Sequence, residues 1–216
     1  MKTPLMISLE AAFLATLICV VLGTFLARFI LYKRRWQSIV EVITTIPMIL
    51  PPTVTGFLLL KCLGKRGLLG SWLGSIGISV VFSFTGVLIA STVVAFPLMY
   101  RTILGSFLQV DEDVLQAART LGISETKIFF QILLPNAKEG VIAGIVLTFT
   151  RALGEFGATI MLAGNIPGKT QTMSIAIYQA VLQGNDQVAY QYVGIMILIS
   201  IVSLSLMNLM IRRKKR

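Results

Sequence analysis

Apolar residues run in long blocks along this chain, and polar residues sit in short islands between them. Five blocks, at about 9–29, 39–60, 78–100, 140–163 and 192–211, are long enough to cross a bilayer, since a crossing takes ~20 helical residues. Lipid satisfies no backbone N–H or C=O group, so spans this long predict helices. The pattern predicts an all-α integral membrane protein folded as one domain over 1–216, with no linker, low-complexity tract or internal repeat dividing it.

The most informative polar island is 111–135, above all QAARTLGISETKIFFQILLP from Gln116 to Pro135. It reads as two short helices broken at one glycine. Asp111 is placed to cap the first, and Asp111, Glu112 and Asp113 put negative charge at its positive end. Val110, Val114, Ala117 or Ala118, and Leu121 recur at helical spacing and predict one small apolar face. Gly122 stands where a left-handed C-terminal cap belongs. Ser124 is placed to cap the second helix, and Pro135 follows its apolar run. A short, rigid hairpin of this kind suits taking a push from another protein.

Composition agrees with the pattern: 56% of residues are hydrophobic and only 13% charged, too little charge for an ordinary soluble domain. The net charge of +10 invites a nucleic-acid reading, but its distribution argues against one. Lys33, Arg34, Arg35, Arg101, Arg119, Lys127, Lys138 and the basic tail 212–216 fall on one side of five crossings. The other side holds fewer: Lys2, Lys61, Lys65, Arg66 and Lys169. The positive-inside rule then puts the N-terminus outside, and the 101–139 loop and C-terminus in the cytosol, for a multi-pass protein of the cytoplasmic membrane. The tail reads as an orientation signal that also meets anionic lipid. The first span is too long and too poorly flanked for a cleaved signal peptide.

Two spans carry unusual residues. Pro47, Pro51 and Pro52 in IPMILPP should break or strongly kink the second. Such a break either packs against protein or lines a water-filled path. Pro97 sits near the end of the third. The fourth carries Arg151 and Glu155, which at i,i+4 can pair on one helix face. They either line a polar path, with Arg151 attracting an anion, or neutralise each other against a neighbouring helix. Gly140, Gly144, Gly154 and Gly157 allow close helix approach, including across a dimer. In the first outer loop, GKRGLLGSWLGSIG, Trp72 reads as an interfacial anchor. The second, 164–191, contains TMSIAIYQAVL, suited to lying on the membrane, dipping into it or receiving an external protein.

Chemistry is scarce. There is no histidine, and Cys19 and Cys62 lie on different levels of the bilayer, so neither a metal site nor a disulfide is expected. No phosphate loop, HExxH or GxSxG motif occurs. No catalytic residue is expected, which favours a conduit over an enzyme and puts any energy source in another subunit.

The 116–135 segment resembles the EAA loop of ABC-transporter permeases, EAA-x3-G-x9-I-x-L-P. Gln116, Ala117, Ala118, Gly122, Ile132, Leu134 and Pro135 meet every spacing, with Gln116 in place of Glu. The strings IPMILPPTVTGFLLL, GKRGLLGSWL, FPLMYRTI, QAARTLG (which contains Arg119), RALGEFGATIMLAGNIPGKTQT and AIYQAV resemble the molybdate permeases of that family. Sulfate permeases are similar through RALGEFG and AGNIP but are generally longer, and tungstate permeases are less similar. The resemblance implies a type I importer fold and a homodimer. It also implies cytosolic ABC ATPases, which use ATP and Mg, docked on the loop, and an external oxyanion-binding protein. This chain would bind no cofactor itself. Pro51, Pro52, Thr53, Arg151, Glu155 and Thr159 become the candidates for the translocation path, with Thr55 a further hydroxyl by position. Tungstate and sulfate or thiosulfate remain as alternative cargoes, and an ATPase-independent channel or secondary transporter as an alternative mechanism.

Overall fold

A computed structural model describes residues 2–212. Among them the fold is all helical, with no strand. Helix α1 (Pro4–Tyr32) starts at Thr3, whose Oγ1 accepts from the Met6 N–H at 3.3 Å, with Pro4 in the first turn. Proline fits there because that N–H has no helical partner in any case. Helix α5 (Phe84–Leu108) starts at Ser83, whose Oγ accepts from the Gly86 N–H at 3.4 Å, and it runs unbroken through Pro97. These two helices pack along each other and against α9 (Lys138–Leu153) to form the centre of the bundle. Cys19, Ile30, Met99, Tyr100, Ile103 and Phe107 are buried between them.

Long α12 (Asp186–Arg212) lies outside this centre, and its apolar window has no buried residue. Helix α11 (Met173–Leu182) is tied to α1 by the Met173 N–H, which donates to Ser8 Oγ at 2.8 Å. Met173, Ile175, Ala176 and Ala180 are buried, so this stretch packs inside the bundle instead of resting on its surface.

Helix bounds differ from the apolar blocks in instructive ways. The block at 39–60 is two helices, α2 (Gln37–Ile49) and α3 (Pro52–Leu63), whose axes turn by 110°. Pro51 and Pro52 both lack the N–H that would continue α2, so the chain leaves the helix and restarts. The block at 140–163 is likewise two helices, α9 and α10 (Gly157–Ala163). The helix of the third block begins later than the apolar run, because 78–80 is irregular and 81–82 forms a turn before the Ser83 cap. The glycine-rich loop between the second and third blocks contains a helix, α4 (Leu68–Ser75), in which Trp72 stays exposed. Three helices (α1, α5 and α12) are long and apolar enough to cross a membrane, and up to five crossings result if each bent pair is one span. The basic tail expected at 212–216 lies outside the described residues from 213 onward.

Candidate functional site: a polar hairpin and a crossing of broken helices

The hairpin is built by local rules. Helix α6 (Glu112–Thr120) starts at Asp111, whose Oδ1 accepts from the Asp113 N–H at 2.9 Å. At its end the Ile123 N–H reaches Ala118 O at 3.1 Å and the Gly122 N–H reaches Arg119 O at 2.9 Å. This is the double bond of a Schellman turn. Gly122 has φ +74°, a conformation that costs a Cβ-bearing residue about 1–2 kcal/mol. Ser124 precedes α7 (Glu125–Ile128), but its hydroxyl makes no capping bond. A π turn over Phe129–Leu133 and a short α8 (Leu134–Asn136) follow, and then the chain bends by 72° into α9. Pro135 therefore does not end the helix. Its ring would crowd the carbonyl of Gln131, and the wider π turn just before it gives that carbonyl room.

The apolar face expected on α6 is divided. Ala118 is buried and Leu115 half-buried, whereas Val114 is 47% and Leu121 79% exposed. Gln116, Ala117, Gly122 and Pro135 are exposed, and Arg119, Ile132 and Leu134 are half-buried. The hairpin thus presents apolar and polar groups outward around Gly122 while its other side seats on α1 and α5. Tyr32 of α1 donates its hydroxyl to Glu125 Oε2 at 2.6 Å, and Arg119 Nε donates to Glu125 Oε1 at 2.7 Å. These bonds, from Arg119 first and then Tyr32, hold the Glu125 carboxyl below its ordinary pKa. The Arg28 guanidinium lies 4.5 Å from the centroid of Phe129.

The second region is a crossing of the two broken spans. A Cβ added to Gly157 would lie 2.9 Å from Pro52 Cβ, and one added to Gly56 would lie 2.7 Å from Ala158 Cα. The two breaks therefore touch nearly backbone to backbone. Helix α9 ends at Leu153, so Arg151 and Glu155 do not share one helix face; their pair bridges the break. Arg151 Nη1 stands 2.8 Å from Glu155 Oε2, while Glu155 Oε1 accepts from the Ala158 N–H at 2.8 Å and caps α10. One carboxylate thus serves both sides of the break. The Glu155 side chain is 1% exposed and that of Arg151 35%. A buried carboxylate is stable only when paired and hydrogen-bonded, and Glu155 has both.

The crossing divides the path candidates. Pro51, Thr53 and Arg151 reach the surface of the protomer and Pro52 is half-buried, while Glu155 and Thr159 are buried. The hydroxyls of Thr55 and Thr159 are buried without a hydrogen-bond partner. No group of metal-ligating side chains occurs among the described residues.

Residues 19–216 match the family of the binding-protein-dependent transport system inner membrane component. This chain belongs to that family. It is 38% identical over 213 residues to the molybdenum transport system permease protein ModB of Haemophilus influenzae, covering 97% of this chain and 93% of the relative. The protein of the same name from Escherichia coli K12 is 39% identical over 203 residues, covering 92% and 88%. Among solved structures, the chain is similar to one from inward-facing MetNI, a methionine ABC transporter, with TM-score 0.74, 17% identity, and 97% and 94% covered. It is also similar to one from a bacterial alginate importer, with TM-score 0.74, 16% identity, and 100% and 82% covered. At that identity the structures show a shared fold.

Sequence reasoning missed the residues that seat the hairpin of this permease on α1 and α5. Tyr32, Arg28, Glu125 and Phe129 carry no motif, and Tyr32 lies far from the hairpin in sequence. The signal for Glu125 was present but faint: a carboxylate six residues from Arg119, across a turn whose glycine brings the two together.

Proposed function

We propose that this chain is the transmembrane permease of an ATP-driven importer that moves molybdate across the cytoplasmic membrane. The observation that carries the transport mechanism is the hairpin, with the complete EAA spacing set around a Schellman turn and exposed Val114 and Leu121. The cargo follows from close similarity, over nearly the whole chain, to permeases named for molybdenum transport. In this reading the N-terminus lies outside and the hairpin and C-terminus lie in the cytosol. Gln116, Ala117, Ala118, Arg119, Gly122, Ile132, Leu134 and Pro135 form the docking element for a separate ATPase, which uses ATP and Mg. Two copies of the chain enclose the path, and an external oxyanion-binding protein delivers the cargo to the outer loops.

The crossing suits a gate. Its helices are short and start at breaks, so rotation of one against the other exposes backbone N–H groups and hydroxyls that a doubly charged oxyanion needs once it leaves water. Thr53, Thr159 and the open side of Arg151 are the donors nearest this crossing. Glu155 keeps Arg151 from trapping the anion, because the guanidinium is already half neutralised. Pro51 and Pro52 together remove two neighbouring N–H donors, which disfavours a continuous helix through this break.

The test is uptake into proteoliposomes holding the permease, its ATPase and the binding protein, with molybdate, tungstate and sulfate competing. Uptake that needs ATP and is inhibited best by molybdate is expected. Uptake that persists without the ATPase would mean a channel or secondary transporter, and stronger inhibition by tungstate or sulfate would reassign the cargo.

A further inference from the structure

The hairpin is joined to the bundle covalently at both ends: by the short 109–111 link from α5, and through the π turn at Phe129–Leu133 and the 72° bend before α9. A further route is non-covalent and leads to α1. On α1, Arg28 and Tyr32 stand four residues apart; on the second helix of the hairpin, Glu125 and Phe129 stand four residues apart. Residues at i,i+4 lie one turn apart on one face, so the two helices meet in matched rungs. The polar rung is Tyr32 to Glu125 at 2.6 Å, closed on its far side by Arg119 at 2.7 Å. The other rung is the Arg28 guanidinium over Phe129 at 4.5 Å. The Phe129 ring in turn packs edge-on against Phe107 of α5, with centroids 5.8 Å apart.

We infer that Tyr32, Glu125 and Arg119 form a clamp that makes α1 and the hairpin one lever, so that hairpin movement reaches α1 directly and not only through α5 and α9. This rests on the reading of the hairpin as the ATPase-docking element. Glu125 is the pivot because its carboxylate holds two elements at once: Arg119 of the first hairpin helix donates to Oε1 at 2.7 Å and to Oε2 at 3.5 Å, and Tyr32 of α1 donates to Oε2 at 2.6 Å. Helix α1 packs on both α5 and α9, so a push delivered there moves the whole centre of the bundle. These are positioning residues, since none lies at the crossing. Half-open ion pairs such as Arg119–Glu125, with side chains 34% and 45% exposed, add little to folding stability. Their loss uncouples the transporter while leaving it folded.

The test uses the complete complex in proteoliposomes, with molybdate uptake and phosphate release measured on the same vesicles and ATPase retention measured on purification. Glu125→Ala is expected to retain the ATPase and hydrolyse ATP normally, while molybdate imported per ATP falls about tenfold, as for loss of a hydrogen bond to a charged group. Tyr32→Phe, which keeps the ring and cannot disturb packing, should show a smaller fall of the same kind. Exchanging the pair, Arg119→Glu with Glu125→Arg, should recover part of the ratio. An unchanged ratio in Glu125→Ala and Tyr32→Phe overturns the clamp. So does a parallel loss of melting temperature, hydrolysis and uptake, which a merely structural role produces. Loss of ATPase retention in Glu125→Ala alone assigns Glu125 to the docking surface and also overturns it. An unsubstituted complex that retains no ATPase overturns the importer reading and the clamp together, before any variant is compared.

Discussion

Two Arg–Glu pairs among the described residues are nearly alike in length. Arg151–Glu155 closes at 2.8 Å in the crossing, and Arg119–Glu125 at 2.7 Å in the hairpin. The two arginines are also almost equally exposed, at 35% and 34%. The carboxylates differ: Glu155 is 1% and Glu125 45% exposed. Geometry alone does not say what such a pair is worth. A captive carboxylate cannot recover hydration when its partner leaves, so its pair is all-or-none. A half-open one trades its partner for water at small cost, so it adds little to folding stability. The crossing is therefore built to hold one arrangement until the whole break shifts, whereas the hairpin pair can be removed and leave the protein folded.

The largest expected effect separates the two pairs directly. Arg151→Ala should destabilise the protein by about 3–5 kcal/mol, because an unpaired buried carboxylate remains; Arg119→Ala should cost roughly 0–1 kcal/mol. Thermal unfolding in detergent measures both. The contrast is sharpened by Arg151→Ala combined with Glu155→Gln, which removes the stranded charge and keeps an acceptor for the Ala158 N–H. That double variant should be more stable than Arg151→Ala alone; if it is not, the burial argument fails.

Next in size is the close contact that only the crossing has. Gly157→Val places a Cβ 2.9 Å from that of Pro52, and overpacking of this kind costs about 1–3 kcal/mol. Glycine in the hairpin matters for a different reason. Nothing lies within 4 Å of a Cβ on Gly122, but its φ is +74°. Gly122→Val should therefore cost about 1–2 kcal/mol through backbone strain alone, with membrane insertion intact and transport lowered. Unchanged uptake by that variant would contradict the assigned turn.

The smallest effect is on pH and salt. Arg119 first, then Tyr32, and more distantly Arg28 hold the Glu125 carboxyl below its ordinary value. A depressed carboxylate contributes stability above its unfolded pKa and loses it as pH falls through the folded value. Protection of the hairpin amides from hydrogen exchange, with the intrinsic rate at each pH divided out, should therefore fall below about pH 4.5, the ordinary value for Glu. High salt should lower that protection as well, because an exposed pair is screened. The Ala158 amide, whose acceptor Glu155 has a side chain only 1% exposed, should not respond to salt.

How much of this was legible beforehand follows from range. The hairpin was readable almost to the residue: Asp111 caps, Gly122 turns left-handed, and Ala118 to Ile123 closes, all within one or two turns of chain. Ser124 and Pro135 show the limit of local rules. Each stands where a capping bond or a stop is expected, yet Ser124 makes no such bond and the π turn carries the helix past Pro135. At 39–60 the prolines announced a break but not a 110° reversal, because proline removes a hydrogen bond without setting the direction in which the next helix starts. At 140–163 the charges announced a pair but not the end of α9 between them.

By itself the sequence determined that this is an all-helical membrane protein with five apolar blocks, a polar hairpin turned at one glycine, one block broken by proline and one carrying an Arg–Glu pair. Those features depend on hydropathy, dihedral limits and spacing within a few residues, which are properties of the chain alone. Only the tertiary structure decided that the two breaks touch through Gly56 and Gly157, that Glu155 is buried where Glu125 is open, and that Tyr32 of α1 grips the hairpin. These depend on the distances between elements far apart in sequence. Packing of the whole bundle sets those distances, and with them whether a given ion pair sits in water or out of it.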